Sequence, residues 1–177
     1  MRFVGTTDAK LDAKGRVFLP SDFRKQLAGS DQQLVLKRDV YQPCLVLYPY
    51  SVWNAEVDML RAKLNRWDPR QAMLFRQFLS DIECFTLDAN GRFIVPRRFI
   101  EVCGITDRCI RFIGVDDRIE LWSVPKAEAC FMTDDDYAQT LATFMAGDAP
   151  QNWWTRNVPQ INCETTMHDV HNLTHNP

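Results

Sequence analysis

The sequence predicts an α+β fold, mainly β, in which one small unit occurs twice and helices lie between and after the copies. The string Leu-Asp-Ala-Lys-Gly-Arg at residues 11–16 returns as Leu-Asp-Ala-Asn-Gly-Arg at residues 87–92, at an offset of 76 residues. Each copy leads into an apolar run, a proline and an aromatic residue at the same offset. Short apolar runs bounded by turn residues indicate strands, and the matched spacing indicates an internal repeat.

The first copy is predicted as a strand, a tight turn, a returning strand, a short helix and two further strands. Asp12 precedes the turn, where its carboxylate can accept hydrogen bonds from the turn backbone. Gly15 lies where such a turn needs a positive φ. The short helix is expected over residues 21–29, and the further strands at residues 34–37 and 44–48.

The second copy is predicted to repeat this order. Asp88 and Gly91 hold the same places in its turn. A helix around Phe99 follows, and then strands at residues 109–115 and 118–122.

Helices are predicted between and after the copies. Residues 51–80 show apolar spacing typical of a helical hairpin, with Ser51 as the first N-cap and Asp68 as the second, before a proline at N1. A last helix is expected from Thr133 to Gly147, and the polar residues 148–177 are expected to form a flexible tail.

Composition excludes several classes of protein. The apolar stretches are only strand length, which predicts no transmembrane helix, and the N-terminus has no signal-peptide character, which predicts a cytoplasmic protein. The six cysteines form no Cys-x-x-Cys pair and are expected to be reduced and mostly buried. All three histidines lie in the polar tail, and no glycine-rich phosphate motif occurs, so we expect no enzyme, no metal and no cofactor.

The net charge of −2 is unevenly distributed. Residues 1–53 carry 8 basic and 5 acidic side chains, whereas residues 126–177 carry 2 basic and 7 acidic ones. A basic amino-terminal unit indicates an anionic partner, although this excess of charge does not establish nucleic-acid binding on its own.

These motifs together resemble the MraZ family of bacterial transcriptional regulators, which is built from two SpoVT/AbrB-type DNA-binding units. Asp-x-x-x-Arg occurs at residues 12–16 and 88–92, each time before an apolar strand and a proline. Residues 42–49 are similar to the junction after the first unit of the family, and residues 112–122 to the closing hairpin of its second unit. The resemblance covers about residues 1–145.

The resemblance implies that the two units form a duplicated, swapped-hairpin AbrB-like β-barrel and that protomers assemble into ring-like homo-oligomers. It implies double-stranded DNA as the partner, at direct repeats in the promoter of the division and cell-wall gene cluster, and therefore a nucleoid-associated protein. No membrane and no small-molecule ligand are expected. The predicted domains, in chain order, are unit 1 at 6–53, a helical connector at 54–81, unit 2 at 82–125, a C-terminal helix at 126–147 and the tail at 148–177.

The two Asp-x-x-x-Arg segments are the predicted DNA-binding sites. Arg16 follows the turn glycine, and arginine is suited to bidentate contact with guanine in the major groove. A close contact of Arg16 with phosphate is the other DNA-binding role considered. Alternatively, Arg16 and Arg92 form salt bridges to Asp12 and Asp88 that hold the barrel, and the DNA-binding and structural roles can coexist. The other predicted DNA contacts are basic side chains, namely Lys10, Lys14, Arg24, Arg92 and Arg97. The predicted turn-orienting residues are Asp12, Gly15, Asp88 and Gly91.

The second copy departs from the first at two basic positions. Asn90 stands where the first copy has Lys14, and Ile100 where it has Arg24. Arg97 and Arg98 restore part of the positive charge on an adjacent face. These differences predict that the second unit binds DNA more weakly, or serves mainly in folding and assembly.

An interaction role for the acidic tail stays open. Antitoxins of the AbrB-like class join a DNA-binding barrel to an acidic, disordered tail that wraps a toxin, and the tail with Trp153 and Trp154 is loosely similar. The tail histidines would share one face near Cys163 if that segment were helical, which is a possible zinc arrangement. Because no apolar framework surrounds them, we favour an extension without metal.

Overall fold

The computed structural model describes residues 2–27 and 33–148. The chain divides into two compact units, residues 1–129 and residues 130–177. Within the described residues, the first unit holds a six-stranded antiparallel sheet, a two-stranded ribbon and five helices, and the second unit holds one helix and a π-helical turn. The predicted α+β class is therefore confirmed, with antiparallel pairing in the sheet and the ribbon. The expectation of a mainly β fold is not met in the described residues, because their helices hold more residues than their strands.

The elements follow the predicted duplication. The first copy consists of β1 (Thr6–Lys10), β2 (Arg16–Phe18), α1 (Ser21–Leu27), β3 (Gln33–Arg38) and β4 (Leu45–Pro49). The inserted helices are α2 (Tyr50–Lys63) and α3 (Pro69–Ser80). The second copy consists of β5 (Ile82–Thr86), β6 (Arg92–Ile94), α4 (Arg97–Cys103), β7 (Cys109–Val115) and β8 (Arg118–Ser123). It is followed by α5 (Val124–Ala129), α6 (Asp134–Thr143) and a π-helical turn (Phe144–Asp148).

The two copies exchange their first strands. The sheet order is β1-β7-β8-β4-β3-β5, so that β1 of the first copy pairs with β7 of the second, and β5 of the second pairs with β3 of the first. A bidentate ion pair fixes the first of these contacts, with Arg111 Nε and Nη2 donating to the two carboxylate oxygens of Asp8 at 2.7 and 2.8 Å. Among the described strands, β1 and β5 are edges, so this sheet is not the closed barrel that the resemblance implies.

One apolar core is shared by both copies. Inward-facing residues of the sheet, the ribbon and the short helices α1 and α4 form a single buried cluster. Four phenylalanine rings lie next to one another there, with centroid separations of 6.2 to 6.5 Å, namely Phe3, Phe23, Phe93 and Phe112. Because each copy contributes side chains to the same core, neither copy buries its apolar face alone.

The inserted helices form the predicted hairpin, held by an aromatic stack. The rings of Trp53 on α2 and Phe78 on α3 are 5.2 Å apart and nearly parallel. The Asp68 side chain caps α3 by accepting hydrogen bonds from two backbone N–H groups, as predicted. The prediction of Ser51 as the N-cap of α2 is wrong, since that helix begins one residue earlier, at Tyr50. Pro49 holds the N-cap position instead, and no side-chain hydrogen bond caps this helix.

The C-terminal part differs from the prediction in two details. Helix α5 overlaps the start of the predicted C-terminal helix at 126–147, but a separate short helix was not expected there, since six residues carry too little periodicity to be recognised. Helix α6 begins after its N-cap Thr133 as predicted, but continues through Gly147 in the π-helical turn instead of ending there. The predicted helix end at Gly29 and the predicted tail from residue 149 onward lie outside the described residues. None of the described helices is long and apolar enough to cross a membrane.

Burial of the cysteines is more varied than expected. Cys44 and Cys103 are buried, Cys109 and Cys130 are partly buried, and Cys84 on the edge strand β5 is exposed. Cys84, Cys103 and Cys109 are free thiols.

Candidate nucleic-acid interface

A single carboxylate organises the first turn. Asp12 Oδ1 accepts hydrogen bonds from the backbone N–H groups of Lys14 and Arg16 at 2.8 and 2.9 Å. Gly15 adopts φ +76°, and its N–H donates to the Asp12 carbonyl oxygen at 3.0 Å. The turn is therefore tied at three points to one residue, which fixes the direction in which the following side chain leaves the backbone.

The Arg16 side chain is held by the same carboxylate. Its Nε donates to Asp12 Oδ2 at 2.6 Å, so the predicted salt bridge is present. Hydrogen bonding, foremost from the Arg16 backbone N–H, lowers the pKa of Asp12 to about 2 and keeps it ionised at neutral pH. Within the described part of the chain, Arg16 uses its Nε in this ion pair, which leaves both Nη groups available to a ligand. The salt bridge and a ligand contact are thus compatible.

The second turn reproduces this geometry. Asp88 Oδ1 accepts from the N–H groups of Asn90 and Arg92, both at 2.9 Å, and Arg92 Nε donates to Asp88 Oδ2 at 2.8 Å. Gly91 has φ +79°. Hydrogen bonds, again led by the backbone N–H of the arginine, hold the pKa of Asp88 below its usual value. The two turns therefore differ in their exposed side chains but not in their backbone.

The two turns lie side by side because β2 and β6 pair in an antiparallel ribbon. In its register, Arg16 lies opposite Ile94 and Phe18 lies opposite Arg92. The two pairs are equivalent, because each joins the arginine position of one copy to the apolar position of the other. Backbone hydrogen bonds continue the ribbon into both turns, from Leu19 to Gly91 and symmetrically from the second copy to the first. The duplication thus produces a local pseudo-twofold axis through the ribbon.

One face of the ribbon is buried and the other is exposed. Val17 and Phe93 are buried in the shared core, whereas Phe18 and Ile94 are 54% and 60% exposed. The Arg92 guanidinium lies 5.5 Å from the centre of the Phe18 ring. Both arginines also line one open depression of about 570 Å³. The exposed face therefore presents two arginines and two large apolar side chains together.

Sequence reasoning named both arginines but missed the apolar residues beside them. The signal was present in the alternation of β2 and β6, because a strand with one buried central residue must expose its two neighbours. Phe18 and Ile94 are these neighbours, at equivalent positions in the two copies.

The other predicted basic contacts have different surroundings. Lys14 lies exposed at the tip of the first turn, and Lys10 lies exposed at the end of β1. Arg97 donates from Nε to Glu101 at 2.8 Å, within α4. Arg98 is engaged by Glu83, 2.6 Å from its Nη2, and also by an aspartate. The positive charge of Arg97 and Arg98 is therefore largely compensated by neighbouring carboxylates.

Arg24 lies against the second turn and not against the turn of its own copy. Its Nη1 donates to the carbonyl oxygen of Asn90 at 3.3 Å. Its side chain also covers Gly91, where an added Cβ would lie 2.7 Å from Arg24 Cδ. The equivalent residue Ile100 covers Gly15 in turn, at 3.5 Å from the corresponding position. The strand exchange thus carries each short helix to the turn of the other copy.

The described residues include no cluster of histidine, cysteine or carboxylate side chains that would hold a metal ion. The tail histidines and Cys163 lie outside that part of the chain, so the zinc arrangement stays untested.

Comparison with known proteins gives one consistent result. The family model described as "MraZ protein, putative antitoxin-like" matches residues 2–77 and 78–138. The transcriptional regulator MraZ of Phocaeicola vulgatus is 53% identical over 146 residues, which cover 82% of this chain and 94% of that protein. The proteins of the same name from Bacteroides fragilis and Bacteroides thetaiotaomicron are 48% and 45% identical, over 82% and 86% of this chain and 92% and 97% of their own lengths.

Proposed function

Because the chain belongs to the MraZ family, we propose that it is a sequence-specific DNA-binding regulator of transcription and not an enzyme. The observation that carries the proposal is the ribbon of β2 and β6, which presents Arg16 and Arg92 on one exposed face. The relatives reported above are named transcriptional regulators, a class that acts through DNA binding.

A two-stranded ribbon matches the width of the DNA major groove. Arg16 and Arg92 each keep two Nη groups for the paired acceptors of guanine, while their Nε groups stay fixed to the aspartates. Phe18 and Ile94 are placed to contact thymine methyl groups beside them. Lys10, Lys14, Arg24 and Arg97 are proposed as phosphate contacts, which position the ribbon without reading sequence.

The proposed target is a set of direct repeats in the promoter of the division and cell-wall gene cluster. Protomers in a ring are related head to tail, so neighbouring ribbons meet the DNA in the same direction and require repeats in the same direction. A protein with a net charge of −2 gains little from electrostatic attraction at a single site. Several protomers that bind one duplex together convert weak contacts into useful avidity.

The predicted domain organisation is part of this proposal. Units 6–53 and 82–125 are proposed as SpoVT/AbrB-type DNA-binding units, and the exchange of β1 and β5 supports a swapped-hairpin arrangement. A cytoplasmic, nucleoid-associated location follows from the proposed partner.

The test is fluorescence anisotropy with a labelled duplex that carries direct repeats from the protein's own upstream region. Loss of one bidentate arginine contact costs about 1–3 kcal/mol, so Arg16→Ala should weaken binding about 5- to 150-fold and reduce the preference over a scrambled duplex. Arg61→Ala is the matched control, since it removes the same charge from α2, where Arg61 pairs with Asp58. Equal binding of repeats and scrambled DNA by the wild type would refute the proposal and direct attention to the acidic tail.

A further inference from the structure

We propose that Arg24 of the first copy supplies the DNA-contacting charge of the second turn, so that both turns contribute comparably to binding. This inference rests on the proposed function and refines it. It also replaces the expectation, drawn from the sequence, that the second unit binds DNA more weakly.

The two turns differ in the charge of the side chain at the tip. The first turn carries Lys14 at its exposed tip, and the second turn has the neutral Asn90 at the same place. Arg24 donates to the carbonyl oxygen of this Asn90 at 3.3 Å, which brings a guanidinium to the position that lacks a lysine. Each turn therefore has one cation at its tip besides its Asp-bound arginine.

The other basic side chains near the second turn are paired with carboxylates. Arg97 is paired with Glu101, and Arg98 is paired with Glu83 and Asp81. Arg24 has no carboxylate partner among the described residues, and its Nη1 donates to a backbone carbonyl oxygen. Within residues 2–27 and 33–148, its exposed guanidinium is therefore not neutralised by a carboxylate, which favours a phosphate contact.

The second turn has a glycine where the Arg24 side chain packs. Gly91 is buried beneath Arg24, and a Cβ on Gly91 would lie 2.7 Å from Cδ and 2.9 Å from Cζ of the arginine. In the first turn, Gly15 is covered instead by the apolar Ile100. Lys14 thus places one positive charge at the first turn, and Arg24 places one at the second turn.

The experiment compares Arg24→Gln with Lys25→Gln in the anisotropy assay across a salt series. Lys25 is a matched control because it removes the same charge from α1, where its ion-pair partner is Asp22. We expect Arg24→Gln to reduce affinity by severalfold and to lower the salt slope by about one for each engaged protomer, and we expect the same of Lys14→Gln. Lys25→Gln should leave both quantities near the wild-type values. Circular dichroism and size-exclusion chromatography establish that each variant keeps its fold and assembly.

Combined variants then locate the turn on which Arg24 acts. The effect of Arg24→Gln should disappear in an Arg92→Ala background, because a released second turn has no phosphate contact left to lose, and should persist with Arg16→Ala. Asn90→Lys should restore the salt slope of Arg24→Gln. Coupling to Arg16 instead of Arg92, or equal effects of Arg24→Gln and Lys25→Gln, would overturn the inference while specific binding stands. Failure of the wild type to prefer the repeats would overturn the proposed function, and this inference with it.

Discussion

Replacing Gly114 with alanine is expected to displace the N-terminal segment from the sheet. Gly114 lies in β7, and an added Cβ would stand 2.6 Å from Phe3 C, 2.6 Å from Val4 N and 2.8 Å from Phe3 O. These are backbone atoms, so no side-chain rotation relieves the contact. The segment must move away, although Phe3 is fully buried and its backbone is hydrogen-bonded in both directions to Asp116.

The magnitude follows from what this movement removes. Truncation of a buried phenylalanine costs about 3–5 kcal/mol, which sets the expected effect of Phe3→Ala on the free energy of unfolding. Gly114→Ala should cost about 2–4 kcal/mol, since the Phe3 ring is partly withdrawn and the Asp116 hydrogen bonds, worth about 1 kcal/mol each, are strained. Phe3→Ala already removes the ring contacts but keeps the backbone, so the double variant should cost only the strain of the hydrogen bonds beyond Phe3→Ala, about 1–2 kcal/mol, and less than the sum of the two single losses.

Urea unfolding followed by far-UV circular dichroism at one fixed protein concentration measures these differences. Val4→Ala serves as the control, because this side chain lies in the same segment but is 65% exposed, and it should change stability by less than about 0.5 kcal/mol. A Gly114→Ala protein as stable as Val4→Ala would refute the argument. A double variant whose loss equals the sum of the two single losses would also refute it.

Three further outcomes are expected. Gly15→Ala should lower the melting temperature more than Gly91→Ala. The reason is that the added Cβ meets a backbone carbonyl at 2.9 Å in the first turn but a flexible arginine side chain in the second. Equal shifts in melting temperature would contradict this. The Asp12 carboxyl has a pKa of about 2, against an ordinary value of 3.8, so its ionised form should stabilise the fold above about pH 4 and lose this effect toward pH 2. An NMR titration midpoint near 3.8 for Asp12 would exclude this contribution to stability. Phe78→Ala, which removes the stack on Trp53, should cost about 2 kcal/mol in urea unfolding, and a loss below about 0.5 kcal/mol would show that the stack is unimportant.

Local structure was predictable because local chemistry determines it. The predicted strand at residues 109–115 coincides with β7, and both turns occur at the predicted glycines. The pairing of β1 with β7 was not predictable from residues alone, because strand partners far apart in the chain leave no periodic signal. The open edges at β1 and β5 depend on the same pairing.

The candidate site divides in the same way. The hydrogen bonding of Asp12 and Asp88 within their turns follows from spacing alone, since the partners are two and four residues away. The place of Arg24 does not, because its partner Asn90 is 66 residues away and belongs to the other copy. The sequences of the two copies therefore suggested that the turns differ in positive charge, whereas the fold places a basic side chain at each turn.

The exchange of first strands also sets the order of events during synthesis. Asp8 on β1 and its partner Arg111 on β7 are 103 residues apart, so β1 leaves the ribosome long before its partner strand exists. At translation rates of about 5–20 residues per second, β1 waits on the order of 5–20 s for β7. A nascent chain that terminates before β7 holds an unpaired β1 and an incomplete core. Only a chain translated through β8 can complete the sheet that supports the ribbon, so chains that terminate earlier cannot present the face that carries Arg16 and Arg92.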